Sequence, residues 1–329
     1  MTFRIEAIHF HVLPMRTRLP FRYGIATMTA LPHLLVRADL IVNGRPVTGQ
    51  SADGLPPKWF TKNPDTPFEL DLAEMIASIQ NAARIGGLAA EKEIGFFSWW
   101  KDLHDEQTSW SMVREVPSLL AGFGVSLIER AVLDALCRAA DQPLWQMLQN
   151  ESIPVDLTAL RPGLPTVPQL IASPPADRLQ IRHTVGLADP LTDSDIPGSE
   201  RLADGLPQSL EASIRHYGLR SFKVKLSGRL DEDRDRLIDL SDVLEVTGVS
   251  EPVFTLDGNE NFSDMAAFRD FWETLTAAPK IAGIARHTRF VEQPIHRRHA
   301  LDESARTVFE TWKDRPLLII DESDGSLAD

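Results

Sequence analysis

The chain has 329 residues, of which 43% are apolar and 25% charged, the balance of a folded globular protein and not of a wholly disordered one. Its 34 basic and 47 acidic residues leave a net charge of −13, so nucleic acid is not an expected partner, because a phosphate backbone favours a basic face. No apolar run reaches the ~18 residues of a membrane span, and Met1 to Phe10 shows no signal core with a cleavage site. Cys137 stands alone, without a partner for an internal disulfide, which suits a cytoplasmic protein.

The elements follow in chain order. Phe3 to Val12 alternates and predicts a strand. Leu34 to Val42 predicts a second, interrupted by Arg37 and Asp39, and Asn43-Gly44-Arg45-Pro46 turns it into the short run Val47-Thr48. Leu70 to Ile85 carries Leu72, Met75, Ile76 and Ile79 at helical spacing. Trp99-Trp100 reads as an anchor of the first domain's core. Ser126 to Leu148 predicts a longer helix whose apolar face includes Leu127, Ile128, Val132, Leu133, Leu136 and Cys137, the last an inert buried thiol. The stretch from Gln149 to Pro175 is looser, with prolines at 154, 162, 165, 168 and 174. A domain boundary near its start divides the chain into 1–150 and 151–329.

Beyond it, short apolar runs alternate with helical patterns. The runs are Leu179–Leu187, Ser221–Leu226, Val253–Leu256, Phe290–Val291 and Leu317–Ile320. Leu210–Tyr217, Asp231–Val246 and Met265–Leu275 are the helices between them. Strand and helix in alternation predict βαβ units and a parallel sheet. The polar residues closing successive strands, Lys225, Asp257, Glu292 and Asp321, are 32, 35 and 29 residues apart. A (β/α)₈ barrel repeats at ~31 residues; a doubly wound sheet also fits the spacing.

Three of these strands run into a carboxylate: Asp257, Glu292 and Asp321. In a parallel sheet all three lie at the C-terminal edge, where barrels build their sites. Crowded carboxylates repel and acquire raised pKa values, a penalty that a divalent cation removes. Oxygen-only ligands favour a hard ion, Mg²⁺ first and Mn²⁺ next. In Ser221–Leu226, Phe222, Val224 and Leu226 share one face, and Lys223 and Lys225 share the other. Inward lysines need carboxylates or a metal-bound anion as partners, and a lysine beside another cation loses pKa and becomes a candidate base. These parts fit removal of the proton α to a carboxylate, with the metal stabilising the enediolate. A Schiff-base aldolase using Lys223 or Lys225 without metal is the alternative.

The residues Lys223-Val-Lys225, Asp257-Gly-Asn259, Glu292-Gln293-Pro294 and Asp321-Glu322-Ser323, in this order, resemble the enolase superfamily, in its muconate lactonizing and mandelate racemase branches. Pro20-Phe21-Arg22-Tyr23-Gly24 and Ser51-Ala52-Asp53-Gly54 look like the mobile substrate loops of that family's α+β capping domain, and Gly122 through Leu136 like its closing helix. The resemblance covers essentially the whole chain. It implies a capping domain followed by a TIM-type barrel, with Asp257, Glu292 and Asp321 as Mg²⁺ ligands. Lys225 is then the acid/base, Lys223 its electrostatic neighbour, and Asn259 and Glu322 supporting groups. Tyr23, Lys58 and Trp59 are candidates for contact with substrate.

The implied reaction is racemisation or epimerisation, cycloisomerisation, or dehydration of an acid sugar. Its implied partners are a small carboxylate and further copies of the chain. The chain ends eight residues after Asp321, whereas a sixth unit would close near position ~350. The expectation is therefore about five of eight units, without the lysine that the family carries on strand six, and a non-catalytic fragment is the further alternative.

No Gly-x-x-x-x-Gly-Lys-Ser/Thr or Gly-x-Gly-x-x-Gly motif supports nucleotide binding, and no Cys-x-x-Cys or His-x₃-His pair suggests zinc. His296-Arg297-Arg298-His299 reads as a solvated loop. Asn150-Glu-Ser152 and Asn261-Phe-Ser263 carry no meaning as glycosylation acceptors without a secretory signal.

Overall fold

The computed structural model describes residues 1–23, 26–171 and 174–327. The chain divides into two units, Met1–Asp177 and Arg178–Asp324. Their buried apolar side chains form two clusters with no residue in common.

The first unit is an antiparallel sheet covered by helices. β1 (Thr2–Tyr23), β2 (Ala26–Val42), β3 (Arg45–Gly54) and β4 (Ile94–Gly95) lie in the order β3-β2-β1-β4. Asn43 and Gly44 both have positive φ, +48° and +79°, so the expected turn is a two-residue hairpin loop whose twist matches the strands. Leu34, Val36, Ala38, Leu40 and Val42 alternate along β2 and are all buried.

Helices follow in this unit: α1 (Pro57–Thr61), α2 (Phe68–Ala89), α3 (Phe96–Arg114), α4 (Ser118–Ala140) and α5 (Leu144–Gln149). A single turn, α6 (Val167–Leu170), closes it. Trp99 is fully buried and donates Nε1–H to the carbonyl of Gly86 at 2.9 Å, as its core assignment requires. Cys137 is half-buried and packs on the same core, and burial pushes its thiol pKa up.

Three expectations change here. The segment Pro20–Tyr23 is not a loop: it closes β1, with Phe21 paired to Met28 and Tyr23 to Ala26. Gly24 lies outside the described residues. Ser51–Gly54 is likewise strand, paired with His33–Val36 of β2. The helix expected over Ser126–Leu148 is two helices, because Asp141 takes a left-handed φ of +52° and Pro143 then starts α5.

The second unit holds five parallel strands: β5 (His183–Val185), β6 (Ser221–Lys225), β7 (Val253–Asp257), β8 (Thr288–Glu292) and β9 (Leu318–Ile319). They neighbour one another in chain order, β5-β6-β7-β8-β9. A doubly wound sheet reverses its strand order, and this one does not. The intervening helices are α7 (Leu210–Tyr217), α8 (Leu230–Thr247), α9 (Met265–Thr276), α10 (Pro279–Arg286) and α11 (Glu303–Thr311).

Phe222, Val224, Phe254, Leu256 and Val291 on the strands share a core with Leu237, Leu240 and Phe268 on the helices. The alternate residues of the strands, Lys223, Lys225, Thr255, Asp257 and Glu292, therefore face away from the helices. Leu179–Leu187 yields only a three-residue strand, because Leu179 and Ile181 are exposed and unpaired with β6.

Candidate active site at the C-terminal strand edge

The site begins with register. Lys225 is paired with Asp257, Asp257 with Glu292, and Glu292 with Ile319, so four strand ends lie side by side. The backbone ladder continues just past them: Leu226 N–H donates to Asp257 O, Gly258 N–H to Glu292 O, and Gln293 N–H to Ile319 O, all at 2.8–2.9 Å. Gly258 is needed for this closeness, because a Cβ there would stand 2.5 Å from Pro294 Cα.

Lys223 and Lys225 point to this edge and meet its carboxylates. Lys223 Nζ donates to Glu292 Oε1 at 2.6 Å and lies 2.8 Å from Asp257 Oδ2. Lys225 Nζ donates to the same Asp257 oxygen at 2.5 Å and to Asn259 Oδ1 at 2.7 Å. Asn259 has φ +48°, and its N–H returns to Asp257 Oδ1 at 2.9 Å, fixing both the carboxylate and the amide.

Charge and burial act in opposite directions here. Burial alone would raise the Asp257 pKa, but Lys225 and Lys223 bring it below the usual carboxylate range. Burial pulls Lys223 down, yet its bonds to Asp257 and Glu292 win and hold it above the ordinary lysine value. The general expectation that a lysine beside another cation loses pKa does not hold at Lys223. Asp321 lies two residues beyond β9 and behaves as crowding predicts. Its pKa is pushed up to about 6, first by burial and then by Glu322 and Glu292, with Lys223 opposing. Glu322 beside it is buried.

The donor set is chemically suited to a hard divalent cation: oxygen atoms only, on neighbouring strand ends, one of them an acid that a cation would help to ionise. Among the described residues, no three His, Cys, Asp or Glu side chains are drawn together as a group that could hold a metal ion as they stand. The Lys223 and Lys225 ammonium groups sit among them as counter-ions.

The other sequence candidates belong to the first unit. Lys58 is engaged: its ammonium bonds Asn63 O at 2.6 Å, the carbonyl of Thr66, and Asp71 Oδ2 at 2.6 Å, tying α1 to the start of α2. Trp59 is partly buried against the core and meets Phe60 edge to face at 4.8 Å. Tyr23 ends β1, and its side chain lies outside the described residues.

Sequence reasoning missed two features near the edge. Arg297, expected in a solvated loop, is half-buried: its backbone N–H, Nε and Nη2 all donate to Glu260, 37 residues away, at 2.7–2.9 Å. Arg182 reaches across the sheet to Thr255 Oγ1 at 3.0 Å and lies over the Phe290 ring. Both contacts cross between units of the repeat, where no local pattern announces them.

No family model and no curated protein matches the chain. Solved structures do. An enolase from Bradyrhizobium complexed with magnesium and mandelic acid superposes with a TM-score of 0.59 at 16% identity, over 98% of this chain and 69% of that one. The N-succinyl Arg/Lys racemase of Bacillus cereus gives 0.58 at 16%, over 97% and 66%. The dipeptide epimerase of Enterococcus faecalis, complexed with Mg and L-Leu-L-Tyr, gives 0.58 at 14%, over 97% and 68%. The chain thus spans about two thirds of the length of the structures it matches.

Proposed function

The chain shares its fold with enolases, racemases and epimerases of the mandelate racemase and muconate lactonizing branch of the enolase superfamily, and from that premise we propose that it is a Mg²⁺-dependent enzyme that removes the proton α to a carboxylate. Racemisation or epimerisation is the outcome favoured by the neighbours, ahead of cycloisomerisation and dehydration. The second unit is then the first part of a (β/α) barrel, with the site at the face where barrels place their chemistry. Asp257, Glu292 and Asp321 would hold the ion. Bound there, Mg²⁺ supplies Lewis acidity toward the substrate carboxylate, which makes the α-proton acidic.

The chain's own residues do the rest. Lys225 takes the α-proton at Nζ, the nitrogen that Asp257 and Asn259 hold in place by hydrogen bonds. Lys223 stays an ammonium ion between Asp257 and Glu292 and supplies charge rather than proton affinity. Asn259 is a positioning group and Glu322 adds to the negative field around Asp321.

The observation that carries this reading is the shared Asp257 oxygen between two lysines, beside Glu292, at adjacent strand ends. The test is exchange of the α-proton in D₂O with Mg²⁺, followed by NMR over mandelate, dipeptides and N-acylated amino acids. Exchange is expected for at least one of these classes. It should stop on chelation and fall by about 10²–10⁴-fold in Lys225→Met. Exchange that survives both changes would sink the assignment.

A further inference from the structure

We infer that Gln293 is a positioning residue for Asp321, an inference that rests on reading Asp321 as a metal ligand. The difficulty it solves is one of reach. The ladder between β8 and β9 ends at Glu292 and Ile319, and Asp321 lies two residues beyond the last pair. Its carboxylate has the like charges of Glu322, Glu292 and Asp257 nearby, with Lys223 opposing them, so charge alone is a poor tether. Something other than strand pairing must hold it there.

Gln293 does so with a fully used amide. Its Oε1 accepts the backbone N–H of Asp321 at 2.8 Å and that of Ser323 at 3.2 Å. Its Nε2 donates to Ile295 O at 2.8 Å and to Ser323 Oγ at 2.7 Å. The side chain is 1% exposed, so each of these bonds is made away from water. The backbone helps. Strand alternation would send the residue after Glu292 to the helix-facing side, but a left-handed φ of +34° breaks that alternation. Gln293 O accepts from Glu260 N–H at 2.8 Å as well, so one residue joins the ends of β7, β8 and β9. Only an amide supplies both an acceptor for two N–H groups and a donor for two oxygens at this place.

The test compares wild type with Gln293→Leu and Gln293→Glu. Leucine fills the volume and makes none of the four bonds. Glutamate keeps the two acceptor contacts to Asp321 and Ser323. Two readouts are taken: hydrogen exchange of the Asp321 and Ser323 amides without divalent metal, and the Mg²⁺ dissociation constant. In Gln293→Leu the two amides are expected to exchange about tenfold faster or more, and Mg²⁺ to bind about 10–100-fold more weakly. In Gln293→Glu the amides should stay protected. A folded Gln293→Leu with wild-type protection at both amides overturns the inference. If Gln293→Leu does not fold, Gln293→Glu decides: retained protection supports the role, and lost protection refutes it. Wild type that fails to bind Mg²⁺ would remove the metal reading, while the exchange data alone would still decide what Gln293 does.

Discussion

Asp321 and Asp257 are both partly or fully buried acids at one sheet edge, yet their surroundings push them in opposite directions, and this has consequences for pH. The folded chain holds the Asp321 proton up to about pH 6, whereas the unfolded chain releases it near 3.8. Folding stability from this group is therefore present at low pH and lost as pH rises through that window. In chelator, Asp321→Asn should melt close to wild type near pH 4 and above it at pH 7; parallel melting curves across pH would contradict this. Mg²⁺ requires the ionised acid, so its affinity should fall about tenfold per pH unit below about 6. Asp257 has the opposite sign: its lowered pKa contributes stability above the unfolded value, lost as pH falls. Removing its charge strands two lysines, and Asp257→Asn is expected to cost about 3–5 kcal/mol in urea denaturation at pH 7. A change under about 1 kcal/mol would show that the lysines re-pair elsewhere.

Close backbone approach, more than side-chain size, limits how the elements can change. Gly49 on β3 lies against α4 so tightly that a Cβ would stand 2.1 Å from Ala131 O and 2.4 Å from Ala135 N. Gly49→Ala must push strand from helix and is expected to lose about 1–3 kcal/mol or more of stability; wild-type stability in denaturant would mean that the sheet yields freely. The same scale shows what was legible in the residues. Leu210–Tyr217 is a helix with the expected bounds, since Ser209 caps it and Gly218 ends it in a left-handed turn. α3 was not legible, because its buried stripe of Phe96, Trp99 and Leu103 passes into Gln107 and Ser111. Gln107 is buried by bonding Ser78, a contact between helices that periodicity does not register. The long β1–β2 ribbon was hidden by Pro14, Pro20 and Pro32, which read as breakers yet sit within strands. At the site, Lys223, Lys225, Asp257 and Glu292 were legible from alternation and strand ends. The Arg297–Glu260 and Gln293 contacts were not, since both depend on left-handed backbone at Glu260 and Gln293.

At the scale of the whole molecule, two separate cores and one sheet edge divide the labour. The first unit's core is built on Trp99, α2 and α4, and the second unit's on the helix-facing side of five parallel strands. Among the described residues, no helix is long and apolar enough to cross a membrane. Ligand-linked stabilisation should appear where the ligand binds. Mg²⁺ is thus expected to slow hydrogen exchange over 253–258, 288–293 and 318–323 and to leave β2 and β3 unchanged; uniform slowing across both units would argue for non-specific binding.

The most direct measurement is thermal melting of wild type and Asp321→Asn with and without 10 mM Mg²⁺ at pH 7.5. If Asp257, Glu292 and Asp321 hold the ion, an excess of about 100 Kd stabilises wild type by about 2.7 kcal/mol. That is a rise of about 5–10 °C for a unit of this size, and Asp321→Asn should show little or none of it. A wild type unmoved by Mg²⁺, or a variant that rises equally, would contradict a metal site at this edge.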